Sequence, residues 1–350
     1  MMSTSVLSPL PLEGGFSPNV HPGLYPDHGS QPRSMPAAEQ VRRRHIAIAV
    51  LSAVVAFTML LVVAFHGFIA WMLANPYVAP LTSNPMLAKN LNYSDVVFPS
   101  ASGKTMVDGW YIPAGQYSER TVVFSHGYGA NREETWVPMY DLADLLHGLN
   151  YNVLLFDYGY ASTTNKYPAT GGHEESQQLL AAVEFARAQG ANEIVVWGFS
   201  MGAGTALQTA LQTNLIDAMI LDSMFLPDPE ALFQNVTQLV NLPRFPSLPL
   251  IESLLPVWTG TSFNQIPAQQ VMQTAYSIPI FMIHGTADSK ASVDTAQAIS
   301  NMQMNPLSDV WIIPDGHHEL LFRAQPKEYI HRAALFLSRV HDQTTLASAT

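Results

Sequence analysis

The stretch Glu193–Gly204, EIVVWGFSMGAG, decides the fold. Its first part, Glu193–Trp197, carries a continuous apolar run, as expected for a strand buried on both faces. A helix-like segment follows over Ala203–Thr213. Between them, Gly198-Phe199-Ser200-Met201-Gly202 is a G-x-S-x-G sequence, which in strand–turn–helix context forms a nucleophile elbow. Such a turn strains the backbone at the serine, so its neighbours must be small. Gly198 and Gly202 supply that, and Gly204 lets the helix approach the sheet.

The same alternation extends outward in both directions. Strands are predicted at Thr121–Ser125, Asn152–Phe156, Asp217–Leu221, Pro279–Ile283 and Asp309–Ile313. Helix-like segments lie at Thr135–His147, His173–Gln189, Ala291–Met302 and Gln325–Val340. In His173–Gln189, Leu179, Leu180, Val183 and Ala186 form one stripe and Gly190 ends it. Strands alternating with helices predict an α/β fold, a doubly wound, mostly parallel sheet covered on both faces. Residues 224–270 break the pattern. They are proline-rich and apolar, and read as a cap or lid inserted over the open end of the sheet, or as irregular core packing.

Composition limits the possible functions. The 350 residues carry a net charge of −11, with 48% hydrophobic and only 12% charged residues. There is no cysteine, which excludes disulfides, thiol nucleophiles and Cys-ligated metals. The acidic balance argues against nucleic acid, whose binders need Lys and Arg to neutralise phosphates.

Part of the charge deficit has a local cause. Ile46–Phe65 contains no charged residue, and apolar character resumes to Ala74. Twenty residues at about 1.5 Å each span about 30 Å, the thickness of a bilayer's hydrocarbon core. A transmembrane anchor is therefore expected over residues 46–74, in preference to a cleaved leader or a buried core helix. Arg42, Arg43 and Arg44 precede it and the next basic residue is Lys89. The positive-inside rule then puts the N-terminus in the cytoplasm and the remainder outside. Residues 1–45 hold four Lys/Arg against three Asp/Glu, a net +1, which leaves −12 after them. Residues 1–45 are expected to be a disordered, proline-rich cytoplasmic tail and residues 75–94 a linker. The catalytic domain is expected over residues 95–342.

A serine hydroxyl needs a base within hydrogen-bond reach and a third group to orient that base. Two later strand ends offer candidates: Asp288 in His284-Gly-Thr-Ala-Asp288, and His317 or His318 in Asp315-Gly-His-His-Glu319. In an open parallel sheet, Ser200 and these groups share the ligand-binding edge. An oxyanion hole is also required. The Met201 N–H would be one donor. The other would be the Tyr128 N–H in His126-Gly-Tyr-Gly129, after TVVFS.

Through these four motifs the sequence resembles the α/β-hydrolase superfamily of serine hydrolases over roughly residues 95–340. The resemblance implies Ser200 as nucleophile, Asp288 as acid, a Gly-His histidine as base, and Tyr128 and Met201 as oxyanion donors. His317, directly after glycine, is the preferred base and His318 the alternate. Asp222 is a rival acid one strand earlier. His126 and His284 are read as loop-orienting residues. Asp315, His317, His318 and Glu319 could cluster around a metal, but no second cluster has suitable spacing, so neither metal nor cofactor is expected. Where many relatives carry D-x-x-G-x-G-x-S, this chain has Asp157-Tyr-Gly-Tyr-Ala-Ser162.

The expected activity is a membrane-anchored serine hydrolase taking a carboxylic ester or lipid-like acyl substrate. An amidase or peptidase would use the same residues, and a non-catalytic membrane-tethered binding protein is the alternative of a different class.

Overall fold

The computed structural model describes residues 36–348, and the chain divides into two compact units, residues 1–58 and 59–350. In the first unit the described residues are helical from Ala37, the start of α1 (Ala37–Ala74), and all are exposed through Thr58. Residues 37–45, expected as part of the tail, are therefore helix. The helix propensity of Ala37, Ala38, Glu39 and Gln40, with the Arg43–Glu39 ion pair one turn apart, accounts for the extension. The tail expected over residues 1–35 lies outside the described residues.

The second unit contains the rest of α1 and the α/β body. Residues 59–65 of α1 are exposed, whereas His66, Ile69, Ala70 and Ala74 are buried. The segment expected as a linker is instead strapped down. Thr82 donates from both N and Oγ1 to Glu133, at 2.6 Å and 2.7 Å. Asn131 Nδ2 donates to the Ala79 carbonyl at 2.8 Å. A short α2 (Pro85–Lys89) follows, capped by Asn84, and Leu91 is buried in the core.

The sheet has eight strands: β1 (Ser94–Pro99), β2 (Met106–Ile112), β3 (Arg120–Ser125), β4 (Asn152–Phe156), β5 (Glu193–Phe199), β6 (Ala218–Asp222), β7 (Ile280–Gly285) and β8 (Asp309–Ile313). Their spatial order is β1-β2-β4-β3-β5-β6-β7-β8. β1 with β2 and β2 with β4 pair antiparallel, and all other pairs are parallel. The α/β hydrolase-type sheet expected from the alternation is present, with the β1–β2 hairpin added at one edge.

The helices cover both faces. They are α3 (Met139–Gly148), α4 (His173–Ala188), α5 (Met201–Ala210), α6 (Pro229–Leu239), α7 (Arg244–Thr259), α8 (Ala268–Gln273), α9 (Val293–Asn301), α10 (Leu321–Ala324) and α11 (Pro326–Ser348). Adjacent strand residues point to opposite faces. Val123, Leu154 and Val196 therefore pack with Leu179, Val183 and Leu207 of α4 and α5. Their neighbours Val122, Leu155 and Trp197 pack with Leu142 and Leu146 of α3 and Leu337 of α11. Two-sided burial is why these strands read as unbroken apolar runs.

The insertion expected over residues 224–270 lies between β6 and β7 as α6, α7 and the start of α8, with a single 3-10 turn at Phe263–Gln265. Asp228 caps α6 by accepting from the Ala231 N–H at 2.9 Å, with Pro229 next. Phe233, Val236, Leu248 and Ile251 of α6 and α7 form a separate small core with Ile69 of α1. The cap is thereby packed on the last turns of α1.

Candidate active site

Ser200 sits between the end of β5 and the first turn of α5, with φ 48° and ψ −118°. This left-handed backbone in a non-glycine residue is strained and persists only when its surroundings hold it. The Ser200 N–H donates to the Asp222 carbonyl at 2.9 Å, and the Ser200 carbonyl accepts from Phe225 N at 3.0 Å. The flanking glycines have steric reasons. A Cβ on Gly202 would collide with the carbonyl oxygens of Ser125 and His126, and one on Gly198 would stand 2.6 Å from the Ala203 Cα.

Three groups converge at the C-terminal edge of the sheet. His318 Nε2 lies 2.8 Å from Ser200 Oγ, and His318 Nδ1 lies 2.7 Å from Asp288 Oδ2. With the Nδ1 proton directed at the carboxylate, Nε2 is left to accept the serine proton. Asp288 Oδ1 accepts from the N–H groups of Lys290 and Ala291, each at 2.9 Å. Burial pushes the Asp288 carboxyl up, but the His318 hydrogen bond and charge and the two amides outweigh it and hold it below the usual range.

The structure brings His318 to Ser200 in place of the preferred His317. His317 is exposed, and its Nδ1 lies 3.2 Å from the Ala287 carbonyl. Asp315 and Glu319 both have left-handed φ, 55° and 56°. The two bends turn His318 inward and His317 out. Asp222, the rival acid, is engaged elsewhere. It accepts from Tyr329 Oη at 2.6 Å and Ser223 Oγ at 2.8 Å. Burial pushes its carboxyl up to about 7.

The loop after β3, which contains Tyr128, is held from several sides. His126 Nε2 accepts from the Tyr158 N–H at 3.1 Å, so its Nδ1–H donates to the Gly127 carbonyl at 2.9 Å. Tyr160 Oη donates to the same carbonyl at 2.9 Å. Burial pushes the His126 imidazole down to about 4, and the nearby Arg132 charge adds to that. It is a neutral positioning group, as read from the sequence. His284 is similar: buried, shifted down by that burial, and 3.1 Å from the Ala291 carbonyl through Nε2. The Gly127 N–H donates to Glu134 Oε1 at 3.0 Å. Among the described residues, neither the Tyr128 nor the Met201 N–H donates to a protein acceptor.

The departing loop after β4 has a structural role. Asp157 accepts from the Arg132 N–H at 2.7 Å and from its guanidinium at 2.8 Å and 3.0 Å. Both partners are buried. This pair fastens the β4 loop to the β3 loop, next to the elbow.

Sequence reasoning missed one feature, a buried carboxyl pair behind the site. Glu319 Oε2 accepts from Trp136 Nε1 at 2.6 Å and lies 3.9 Å from His318 Nε2. Glu134 Oε2 and Glu319 Oε1 are buried without a hydrogen-bond partner if both are carboxylates. Burial pushes both carboxyls up, and the Glu319 charge pushes Glu134 up further. A Cβ at Gly127 would displace the carboxyl ends of Glu319 and Glu134. Glu319 stood in a quoted motif; Glu134 had no pattern to mark it.

A cavity of about 320 Å³ opens at Ser200. Ser200, Met201, His318 and Tyr128 line its polar end, and Leu73, Phe225, Val236 and Ile266 are among its apolar walls. Tyr128 Oη donates to the Leu73 carbonyl at 2.8 Å, joining the β3 loop to the last turn of α1.

Fold and site together have the form of a hydrolase elbow. Residues 122–332 match the model of the alpha/beta hydrolase family, and the chain belongs to that family. It is similar to the uncharacterized protein YfhR of Escherichia coli O157:H7, 25% identical over 226 residues, or 63% of this chain and 71% of that one. Among solved structures it is similar to the Pyrococcus furiosus esterase Pf2001, at 24% identity and a TM-score of 0.61, covering 76% of this chain and 99% of that one. Est1E from Butyrivibrio proteoclasticus, solved with ferulic acid, aligns at 15% identity and a TM-score of 0.56, covering 71% and 99%.

Proposed function

We propose that this chain is a membrane-anchored serine hydrolase that cleaves carboxylic esters of lipid-like acyl groups. The observation that carries the reading is the chain of hydrogen bonds Ser200–His318–Asp288 beneath an apolar cavity. Ser200 Oγ attacks the acyl carbonyl as its proton passes to His318 Nε2. Asp288 holds the imidazole and stabilises the imidazolium. The N–H groups of Tyr128 and Met201 receive the negative charge of the tetrahedral intermediate, each worth about 3–4 kcal/mol. His318 then returns the proton to the departing alcohol, leaving an acyl-Ser200. Water deprotonated by His318 attacks that acyl group, and a second collapse releases the acid.

The ester preference rests on the apolar walls and on the likeness to the Pyrococcus furiosus esterase. The anchor rests on the apolar length of α1, with mean hydropathy 2.9 over its best 18-residue window and no burial there. The basic residues before it favour a cytoplasmic N-terminus and a body on the other side.

A fluorophosphonate probe tests the chemistry. Labelling of the full chain is expected, and is expected to vanish in Ser200→Ala. Failure of the folded chain to label would overturn the reading. Matched ester and amide substrates separate esterase from amidase, and equal or faster amide cleavage would reassign the class.

A further inference from the structure

The most unusual surface of the second unit is apolar and lies beside α1. Phe245 and Val257 of α7 are 80% and 70% exposed, and Trp258 is 45% exposed. Large apolar residues exposed at both ends of one helix are more than the isolated apolar side chains of ordinary surface.

Their level along α1 is fixed by hydrogen bonds. Trp258 Nε1 donates to the Gly67 carbonyl at 3.0 Å, and His66 Nε2 lies 2.9 Å from Ser247 Oγ, two residues from Phe245. Gly67 is about 3 Å along the axis from Phe65, where the exposed apolar stretch of the second unit meets the cap. The other face of α1 stays apolar and exposed beyond that level, through Phe68, Trp71 and Met72. A lipid phase around residues 59–65 therefore extends along α1 to the height of α7.

We propose that the cap is seated in the surface of the lipid bilayer, with Phe245, Val257 and Trp258 in contact with lipid, so that acyl chains pass sideways from the bilayer into the cavity. This rests on the reading of α1 as a membrane span and of the cavity as the acyl site. Leu73, Leu239 and Leu255 line the cavity, and Leu239 is also 83% exposed, so the cavity wall reaches the surface there. A substrate drawn from lipid thus moves from one apolar phase to another.

Charge identifies the kind of surface. Between residues 224 and 273 the only basic residue is Arg244, and it is ion-paired with Glu230. Asp228 and Glu252 are also acidic. Lys290, exposed beside α6 and lining the cavity, is the other basic group at this face, so three carboxylates stand against two basic side chains and net charge gives no attraction to anionic headgroups. The partner is a zwitterionic or neutral lipid surface, entered by aromatic and aliphatic side chains.

The chain has no cysteine, so single cysteines can be labelled uniquely. The full chain is reconstituted in phosphatidylcholine nanodiscs containing doxyl-labelled lipid, with an environment-sensitive fluorophore at Phe245→Cys, Val257→Cys, Val54→Cys or Tyr117→Cys. Tyr117 is exposed in the loop before β3, at the other end of the sheet. Strong quenching is expected at 54, 245 and 257, and little at 117. Quenching at 245 and 257 no greater than at 117, with 54 quenched, overturns the seating alone. The same result with pyrene excimers at 245 assigns the surface to a second copy. An unquenched label at 54 overturns the span itself. In Phe245→Asp/Val257→Asp, hydrolysis of a bilayer-resident long-chain ester is expected to fall at least tenfold, while a water-soluble butyrate ester changes less than twofold. Equal loss on both substrates, or on neither, overturns lateral entry. Absent fluorophosphonate labelling of the unsubstituted chain would instead remove the hydrolase reading and leave the quenching result standing.

Discussion

The sharpest prediction separates two adjacent histidines. His318→Ala removes the group 2.8 Å from Ser200 Oγ and 2.7 Å from Asp288 Oδ2. A general base alone contributes about 10²–10⁴ in rate. Where nucleophile and base act as a unit, loss of one member reaches about 10⁶ in kcat. The expected fall is therefore at least about 10³-fold, or about 4 kcal/mol at about 1.36 kcal/mol per tenfold. His317→Ala removes an exposed ring with one contact, 3.2 Å to the Ala287 carbonyl. Surface changes of that kind usually stay within about 0.5 kcal/mol, so kcat should move by no more than about twofold. The assay is steady-state hydrolysis of p-nitrophenyl butyrate by the full chain in nanodiscs, with melting curves to confirm folding. A folded His318→Ala enzyme retaining a tenth of its activity would refute the argument. So would an equal loss in His317→Ala.

Other consequences follow from neighbouring features. Gly202→Ala would press a methyl group into the Ser125 and His126 carbonyls, so a loss of about 1–3 kcal/mol or more is expected in denaturant melts, with weakened probe labelling. Arg132→Ala strands the buried Asp157 carboxylate, and about 3–5 kcal/mol of stability should go with it in the same melts. Asp222 holds its proton in the folded chain up to about pH 7, whereas an unfolded aspartate loses it near 3.8. The folded state binds more protons across that window, so this group makes stability fall as pH rises through it. Asp222→Asn should flatten the slope of melting temperature against pH between about 4 and 7, and an unchanged slope would remove Asp222 as its source. Tyr128→Phe loses the hydrogen bond to the Leu73 carbonyl and should cost about 0.5–1.5 kcal/mol by thermal melt, while leaving the backbone N–H of residue 128 in place.

The parallel strands were legible because burial on both faces forbids polar interruptions. Asn152–Phe156, buried throughout, begins and ends at the expected residues; Asp309–Ile313 does too, although it is a half-exposed edge strand marked by its β-branched and aromatic residues. β1 and β2 were not seen. β1 is an edge strand with Ser94, Asp95, Val97 and Pro99 exposed, and β2 is broken by Asp108 and Gly109. Gly109 is there for a packing reason, since a Cβ would stand 2.9 Å from the Leu155 carbonyl oxygen of β4. The elbow was legible because glycine spacing reports backbone sterics directly. The choice of histidine was not, because it depends on two left-handed residues, Asp315 and Glu319, of types that do not announce that conformation. The Glu134–Glu319 pair was hidden for a related reason: it joins residues 185 positions apart that meet only through the fold. The strap at 75–94 looked like a linker because its fastening comes from Glu133 and Asn131, on a distant loop.

The last turns of α1 have a practical meaning for anyone handling the protein. Ile69 completes the small core of the cap, Leu73 walls the cavity, and the Leu73 carbonyl receives the Tyr128 hydroxyl. A chain cut after Ala74 would lose all three at once and leave Phe233, Val236, Leu248 and Ile251 facing water. The helix is a wall of the chamber, so trimming it to gain solubility would dismantle the room it was meant to preserve.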